Sequence, residues 1–75
     1  MSSPTDLAMA LERHMIPSDE WDRAPTKVQA VAKESADEGV PTGICQHPEY
    51  GWAVIWSAGQ GLGIAYVENP PEESK

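Results

Sequence analysis

The sequence predicts an α+β fold in which two short helices are followed by a three-stranded antiparallel β-meander, an ααβββ arrangement. Two observations favour this class. Before Pro41, apolar residues recur at the spacing of an amphipathic helix. After Pro41, runs of β-branched and aromatic residues alternate with short turn sequences that contain glycine. The 75 residues suffice for one domain, expected over residues 1–68, with an acidic, proline-containing tail at 69–75 that does not pack.

The first helix is expected to begin with Ser3 as its N-cap and Pro4 at its first helical position. It should end by Ile16, because Pro17 disfavours helical geometry in the residue before it. Its apolar face is formed by Leu7, Leu11, His14 and Met15. A short turn follows, in which Trp21 is the one apolar side chain and is expected to fold inward.

The second helix shows both a start and a stop signal. Thr26 and Gln29 have the spacing of a capping box, in which two side chains satisfy backbone N–H groups reciprocally. Gly39 is placed to end the helix in a left-handed conformation, and Pro41 prevents continuation. The inward face is narrow and consists of small residues: Val28, Val31, Ala32, Ser35 and Ala36. Such a face implies a close approach to whatever the helix packs against.

Three strands are predicted after Pro41, at residues 42–47, 52–57 and 62–68, of which the first has the weakest pattern. A half-buried strand alternates apolar and polar residues, but the last two strands do not. In the second strand, one row of side chains is Trp52, Val54 and Trp56, and the opposite row is Ala53 and Ile55. In the third strand, one row is Leu62, Ile64 and Tyr66, and the opposite row is Gly63, Ala65 and Val67. Both faces of the predicted hairpin are therefore apolar.

The length of the turn around residues 58–61 decides which of these rows share a face, since a slip of one residue inverts a strand. A turn of two or four residues sets the tryptophans beside Gly63, Ala65 and Val67. A turn of three residues sets them beside Leu62, Ile64 and Tyr66. The sequence leaves both registers open.

The sequence also leaves open whether the two helices cover both apolar faces of the hairpin. In one outcome, the two helices cover both faces, one on each side or around an edge. In the other, one face stays exposed for a partner or a second copy of the chain, because a chain of this length has little else to cover it with.

The charge excludes several partners. Twelve acidic residues against five basic ones give a net charge of −7. Phosphate and anionic lipid repel such a chain, so direct nucleic-acid binding, a helix-based DNA reader included, and membrane binding are not expected. Acidity instead suits solubility or a basic partner surface. A single cysteine, Cys45, excludes an internal disulfide, and no signal peptide or membrane-spanning segment is apparent, so a cytoplasmic protein is expected.

No motif specifies a reaction, a cofactor or a metal. The glycines of residues 59–63 precede a strand rather than a helix, so they indicate a hairpin turn instead of a phosphate loop. Cys45, His47 and Glu49 lack the second ligand pair of a structural zinc site. Pairing of Cys45 with a histidine for nucleophilic catalysis would need nearby positive charge, and this region is neutral to acidic.

These observations predict a non-catalytic protein-interaction module: an adaptor, a subunit or a small inhibitor that binds a basic or apolar protein surface or forms a homodimer. Aromatic side chains are favoured interface anchors, and exposed acids favour basic partners. The predicted contact residues are Trp52, Trp56, Tyr66, Trp21, Asp19, Glu20 and Asp22. Two alternatives are an acidic mimic of nucleic acid that inhibits a DNA- or RNA-handling protein, and a small ligand-binding or enzyme domain that uses Cys45 and His47.

Overall fold

A computed structural model describes residues 4–59 and 61–70. The elements are α1 (Pro4–Glu12), a 3-10 helix (Ser18–Arg23), α2 (Thr26–Asp37), β1 (Thr42–His47), β2 (Gly51–Ala58) and β3 (Gly61–Val67). The order confirms the predicted ααβββ fold, and the 3-10 helix occupies the turn expected around Trp21. The proposed N-cap Ser3 and the tail residues 71–75 lie outside the described residues.

The sheet is antiparallel with the order β1-β2-β3, so that β2 lies in its centre. Successive side chains of a strand point to opposite faces, and each face of this sheet carries one helix. α2 packs on the face that includes Ile44 and Val54, whereas α1 packs on the face that includes Cys45 and Ala53. Of the two outcomes that the sequence left open, the helices cover both faces, one on each side.

The α2-side core is built around close contact between a helix of small residues and the sheet. Val28 and Ala32 of α2 are fully buried against Ile44 and Val54. Larger, half-buried side chains surround this contact: Ile16, Trp21, Val31, Trp52 and Tyr66. The narrow face of α2 therefore lets the helix approach the sheet, and aromatic residues fill the margins.

The α1-side core depends on one large residue of the helix. Leu11 is fully buried against Cys45, Ala53 and Ile55. The side chains packed around it are only half-buried: Leu7, Tyr50, Leu62, Ile64 and Val67. Three of these belong to β3, none of whose residues is fully buried, so α1 shields that strand only in part.

The register of the hairpin combines both alternatives through a β-bulge. Ala58 pairs with Gly61 and Trp56 with Gly63, which is the register of a two-residue turn. A bulge between Val54 and Ile55 then shifts the pairing, so that Val54 lies opposite Tyr66. The row of Trp52, Val54 and Trp56 therefore shares its face with Gly63 near the turn and with Tyr66 beyond the bulge.

The start of α2 differs from the prediction, whereas its end agrees. Pro25, not Thr26, is the N-cap, and no side chain caps this end. Thr26 is thus already the first helical residue, one position too late for a capping box. Gln29 instead donates from Nε2 to the carbonyl oxygen of Ala24 at 2.7 Å. Gly39 ends the helix as expected, with a φ of 82°.

Gly63 tests the register. A Cβ at this position would overlap the indole ring of Trp56, whereas a Cβ on Gly61 would meet nothing within 4 Å. Replacing Gly63 with alanine should therefore lower the free energy of unfolding in urea by about 1–3 kcal/mol. G61A in the same strand is the matched control and should change stability by less. Equal effects of the two variants would contradict the contact between Trp56 and Gly63.

Candidate functional site

The predicted aromatic residues fall into two groups rather than one patch. Trp21, Trp52 and Tyr66 are half-buried and pack against the α2-side core. The ammonium nitrogen of Lys27 lies 5.3 Å from the centroid of the Tyr66 ring, a cation–π distance. Trp21 folds inward, as the sequence predicted. These three side chains contribute to the core, so they are less available as anchors for a partner.

The predicted acidic contact residues all lie on the 3-10 helix. Asp19 and Asp22 are exposed, and Glu20 is half-buried. Arg23 donates from Nη1 to Glu20 Oε1 at 2.6 Å and from Nη2 to Gln46 Oε1 at 3.4 Å. Glu20 is therefore already paired within the chain, which leaves Asp19 and Asp22 as the unpaired acids of this element among the described residues.

Trp56 lies apart from the other aromatic residues, near the C-terminal end of α2. Its ring covers the backbone of Gly63, which has no side chain to keep it away. Ser35 and Glu38, together with Val40 and Ala65, border an open cleft of about 270 Å³ beside this ring. Trp56 is only half-buried, and neither core cluster includes it. Of the predicted aromatic contact residues, Trp56 is the one that packs against neither core cluster.

A second cleft of about 190 Å³ opens at the same end of the sheet on the α1 side. Its walls include Met15, Ile55 and Leu62, with Glu12 at the rim. Met15 is a large apolar side chain, yet it is 48% exposed. Trp56 also borders this cleft, together with Pro41, Thr42, Gly43 and Ser57.

Both clefts exist because the hairpin extends past the helices. The central residues of β2 are buried, but Ser57 and Ala58 at its end are exposed. We call the surface formed here by Met15, Pro41, Trp56, Leu62 and Ala65 the hairpin-end surface. Sequence reasoning assigned only Trp56 to a contact role. The sequence predicts Met15 on the apolar face of the first helix, but α1 ends at Glu12, so Met15 lies beyond the helix and is exposed.

The residues of the alternative enzyme site, Cys45 and His47, both take part in the packing and turn structure of the fold. Cys45 is fully buried. Burial, with a smaller contribution from the charge of Glu12, raises the pKa of the Cys45 thiol to about 12. The thiol is therefore neutral at physiological pH, whereas a nucleophilic cysteine needs its thiolate.

His47 organises the turn between β1 and β2. Its Nδ1 accepts hydrogen bonds from the backbone N–H groups of Glu49, at 3.0 Å, and Tyr50, at 3.2 Å. Its ring stacks on Tyr50 and meets the ring of His14 edge to face, with centroid distances of 4.6 Å in both cases. These contacts hold the strand connection in place.

The part of the chain that the structure describes contains no group of three or more histidine, cysteine, aspartate or glutamate side chains arranged to hold a metal ion. None of its helices has the length and apolar character needed to cross a bilayer.

Comparison of the chain with protein-family models, with curated proteins and with solved structures found no match.

Stability should fall at alkaline pH because of Cys45. The folded state raises the thiol pKa from 9.0 to about 12, so the unfolded chain loses the proton first. The neutral thiol contributes fully to the free energy of unfolding below pH 9. As the pH rises from 9 toward 12, this contribution falls by about 1.4 kcal/mol per pH unit. Urea unfolding at several pH values measures this slope. In C45A the slope should be shallower by that amount, whatever the stability at neutral pH; equal slopes would contradict the burial of the thiol.

The turn at His47 provides a second test. Replacing His47 with alanine removes the acceptor for two backbone N–H groups and should lower the free energy of unfolding by about 1–2 kcal/mol. H47N is the matched control, because an asparagine side-chain oxygen accepts the same type of turn hydrogen bond. We expect H47N to recover a substantial part of the loss in thermal or urea unfolding. If H47A and H47N are equally destabilised, the ring contacts rather than Nδ1 stabilise this turn.

Proposed function

We propose that this chain is a non-catalytic protein-interaction module, an adaptor, subunit or small inhibitor, that binds its partner through the hairpin-end surface. The observation that carries the proposal is the position of Trp56. Its ring lies over Gly63 on the α2 side, the residue lines the open cleft there and also contributes to the wall of the cleft on the α1 side, and neither core cluster includes it. Tryptophan is among the residues that most often dominate binding energy, particularly where apolar pockets surround it.

The partner is expected to combine an apolar segment with basic residues. Met15, Pro41, Leu62 and Ala65 supply apolar contact area around Trp56. Exposed Glu12 borders one cleft and exposed Glu38 the other. With the net charge of −7, these rim carboxylates favour the approach of a positively charged surface.

The distribution of acids favours this function over mimicry of nucleic acid. Asp19 and Asp22 lie before α2, whereas Asp37 and Glu38 lie at its other end. A helix of 12 residues separates the two groups by about 18 Å. The acids named here form two separate groups instead of one continuous row that could follow a phosphate backbone.

The state of Cys45 favours binding over catalysis. The thiol is buried and its pKa is raised to about 12, and Nδ1 of His47 already accepts two backbone hydrogen bonds. Neither group is available at neutral pH as a nucleophile–base pair.

The test compares two tryptophans of one row. Proteins captured from an extract of the source cell by the immobilised chain are identified, and the affinity of the purified partner is then measured by calorimetry. We expect W56A to raise the Kd about 30-fold, the effect of losing an anchor worth about 2 kcal/mol. W52A is the matched control: Trp52 packs against the α2-side core, so this change should lower stability more than W56A does.

The salt dependence provides an independent check. Because the partner is expected to be basic, raising the ionic strength should weaken binding. Binding that survives W56A unchanged would overturn the proposal. So would a W56A variant that loses as much stability as W52A, because Trp56 would then be a core residue.

A further inference from the structure

One edge of the sheet is paired with another segment of the chain, and the other edge is open. Residues 14–16 pair with the outer edge of β1: Ile16 N–H donates to the carbonyl oxygen of Ile44 at 2.9 Å, and the His14 carbonyl oxygen accepts from Gln46 N–H at 3.0 Å. The outer edge of β3 has no such neighbour among residues 4–59 and 61–70. Alternate backbone N–H and C=O groups of this edge are therefore available to another strand.

β3 also lacks the residues that natural proteins use to protect an edge. Its seven residues, Gly61–Val67, include no charged side chain and no proline. At about 3.4 Å per residue, they offer roughly 24 Å of strand for pairing. The bulge described above leaves Ala65 as the extra residue of β3, opposite the step from Val54 to Ile55. A bulge of this kind makes an edge less regular for pairing, but it adds no charge to the edge.

We propose that β3 pairs antiparallel with β3 of a second copy of this chain, which joins two three-stranded sheets into one of six strands across a two-fold axis. Two copies that each carry a charge of −7 repel one another over most of their surface, but β3 itself is uncharged. Glu68, which follows the strand, turns its Oε1 toward the N–H of Trp52 on β2, at 3.3 Å, away from the open edge.

Side-chain burial supports a second copy as the occupant. On the α1 side of β3, Leu62, Ile64 and Val67 are only half-buried by their own helix. Antiparallel self-pairing sets this apolar row beside its own symmetry mate, so both copies gain burial from the same residues.

This dimer and the partner site proposed above share Leu62 and Ala65 but differ in what anchors them. The dimer uses backbone groups of β3, whereas the partner site uses the Trp56 ring. The two associations also respond oppositely to salt. Screening reduces the repulsion between two acidic copies, so higher ionic strength should strengthen the dimer and weaken the binding of a basic partner.

The experiment is sedimentation of the isolated chain over a wide range of concentrations, at low and high ionic strength. We expect a species with twice the 8.1 kDa mass of the chain, whose population rises with concentration and with salt. Hydrogen exchange in the same samples should show backbone amides of β3 that become protected only as the dimer forms. A chain that stays monomeric in all conditions overturns the proposal.

Substitutions that introduce a charge at position 65 test whether the dimer interface lies along β3. Ala65 is an exposed residue within β3, and we expect both A65E and A65K to weaken the dimer about fivefold, through like charges along the paired edge. A65K reduces the net charge to −6 (−7 + 1), so a weaker dimer in this variant cannot reflect greater overall repulsion. If one variant does not fold, the other together with hydrogen exchange decides the outcome.

Two controls separate this surface from others. A30E adds the same charge as A65E at an exposed position of α2, and it should leave the dimer nearly unchanged. Equal weakening by A30E and A65E would mean that net charge alone governs association, against the proposal. W56A should retain the dimer. A dimer that W56A abolishes and both Ala65 variants retain would place self-association at the hairpin-end surface instead, and would overturn pairing through β3.

Discussion

The structure depends on one constraint: the central strand β2 is apolar on both faces and must be covered from both sides by a chain of 75 residues. Ala53, Val54 and Ile55 are consecutive, so they point alternately to the two faces, and all three are buried. One helix on one face could not achieve this. The chain therefore sets α1 on one side and α2 on the other, and each helix is committed to a single core.

This division of the helices determines what stays exposed. Both cores centre on β1 and β2, because the fully buried sheet residues belong to these two strands. β3 receives the remaining cover and has no fully buried residue. The end of β2 near the hairpin turn also extends past α1, which stops at Glu12. The open edge of β3 and the clefts around Trp56 thus have one cause: the two helices are too short to cover the whole sheet.

The order and approximate bounds of the elements could be predicted because local patterns encode them. Gly39 and Pro41 mark the end of α2 through backbone geometry that depends on the residue alone, whereas α1 ends at Glu12, before the limit that Pro17 sets. The bulge could not be predicted, because it depends on how two strands fit across the sheet. Its effect is large: it brings Tyr66 onto the face of the tryptophans, although near the turn this face holds Gly63. The capping box failed because Pro25 starts α2 one residue early.

The candidate site was only partly predictable for a related reason. Sequence identifies Trp21, Trp52, Trp56 and Tyr66 as large aromatic side chains, but it does not say which of them the core needs. That distinction depends on where α2 crosses the sheet: three of the rings meet the α2-side core, and the fourth covers a glycine beyond it. Met15 and Leu62 join the site only because α1 ends early and the hairpin has a two-residue turn.

Ala65 connects the two proposed surfaces and suggests how they relate. Its side chain borders the cleft beside Trp56, while its backbone belongs to the open edge of β3. Pairing of β3 uses backbone groups within the sheet, and partner binding uses side chains above it, so one does not require the other to be vacant. A dimer would carry both Trp56 sites and a charge of −14 (2 × −7), a stronger attraction for a basic partner than either copy alone. Self-association through the edge would therefore increase the rate at which a basic partner reaches the hairpin end, through the charge of the dimer rather than through a new contact with the partner.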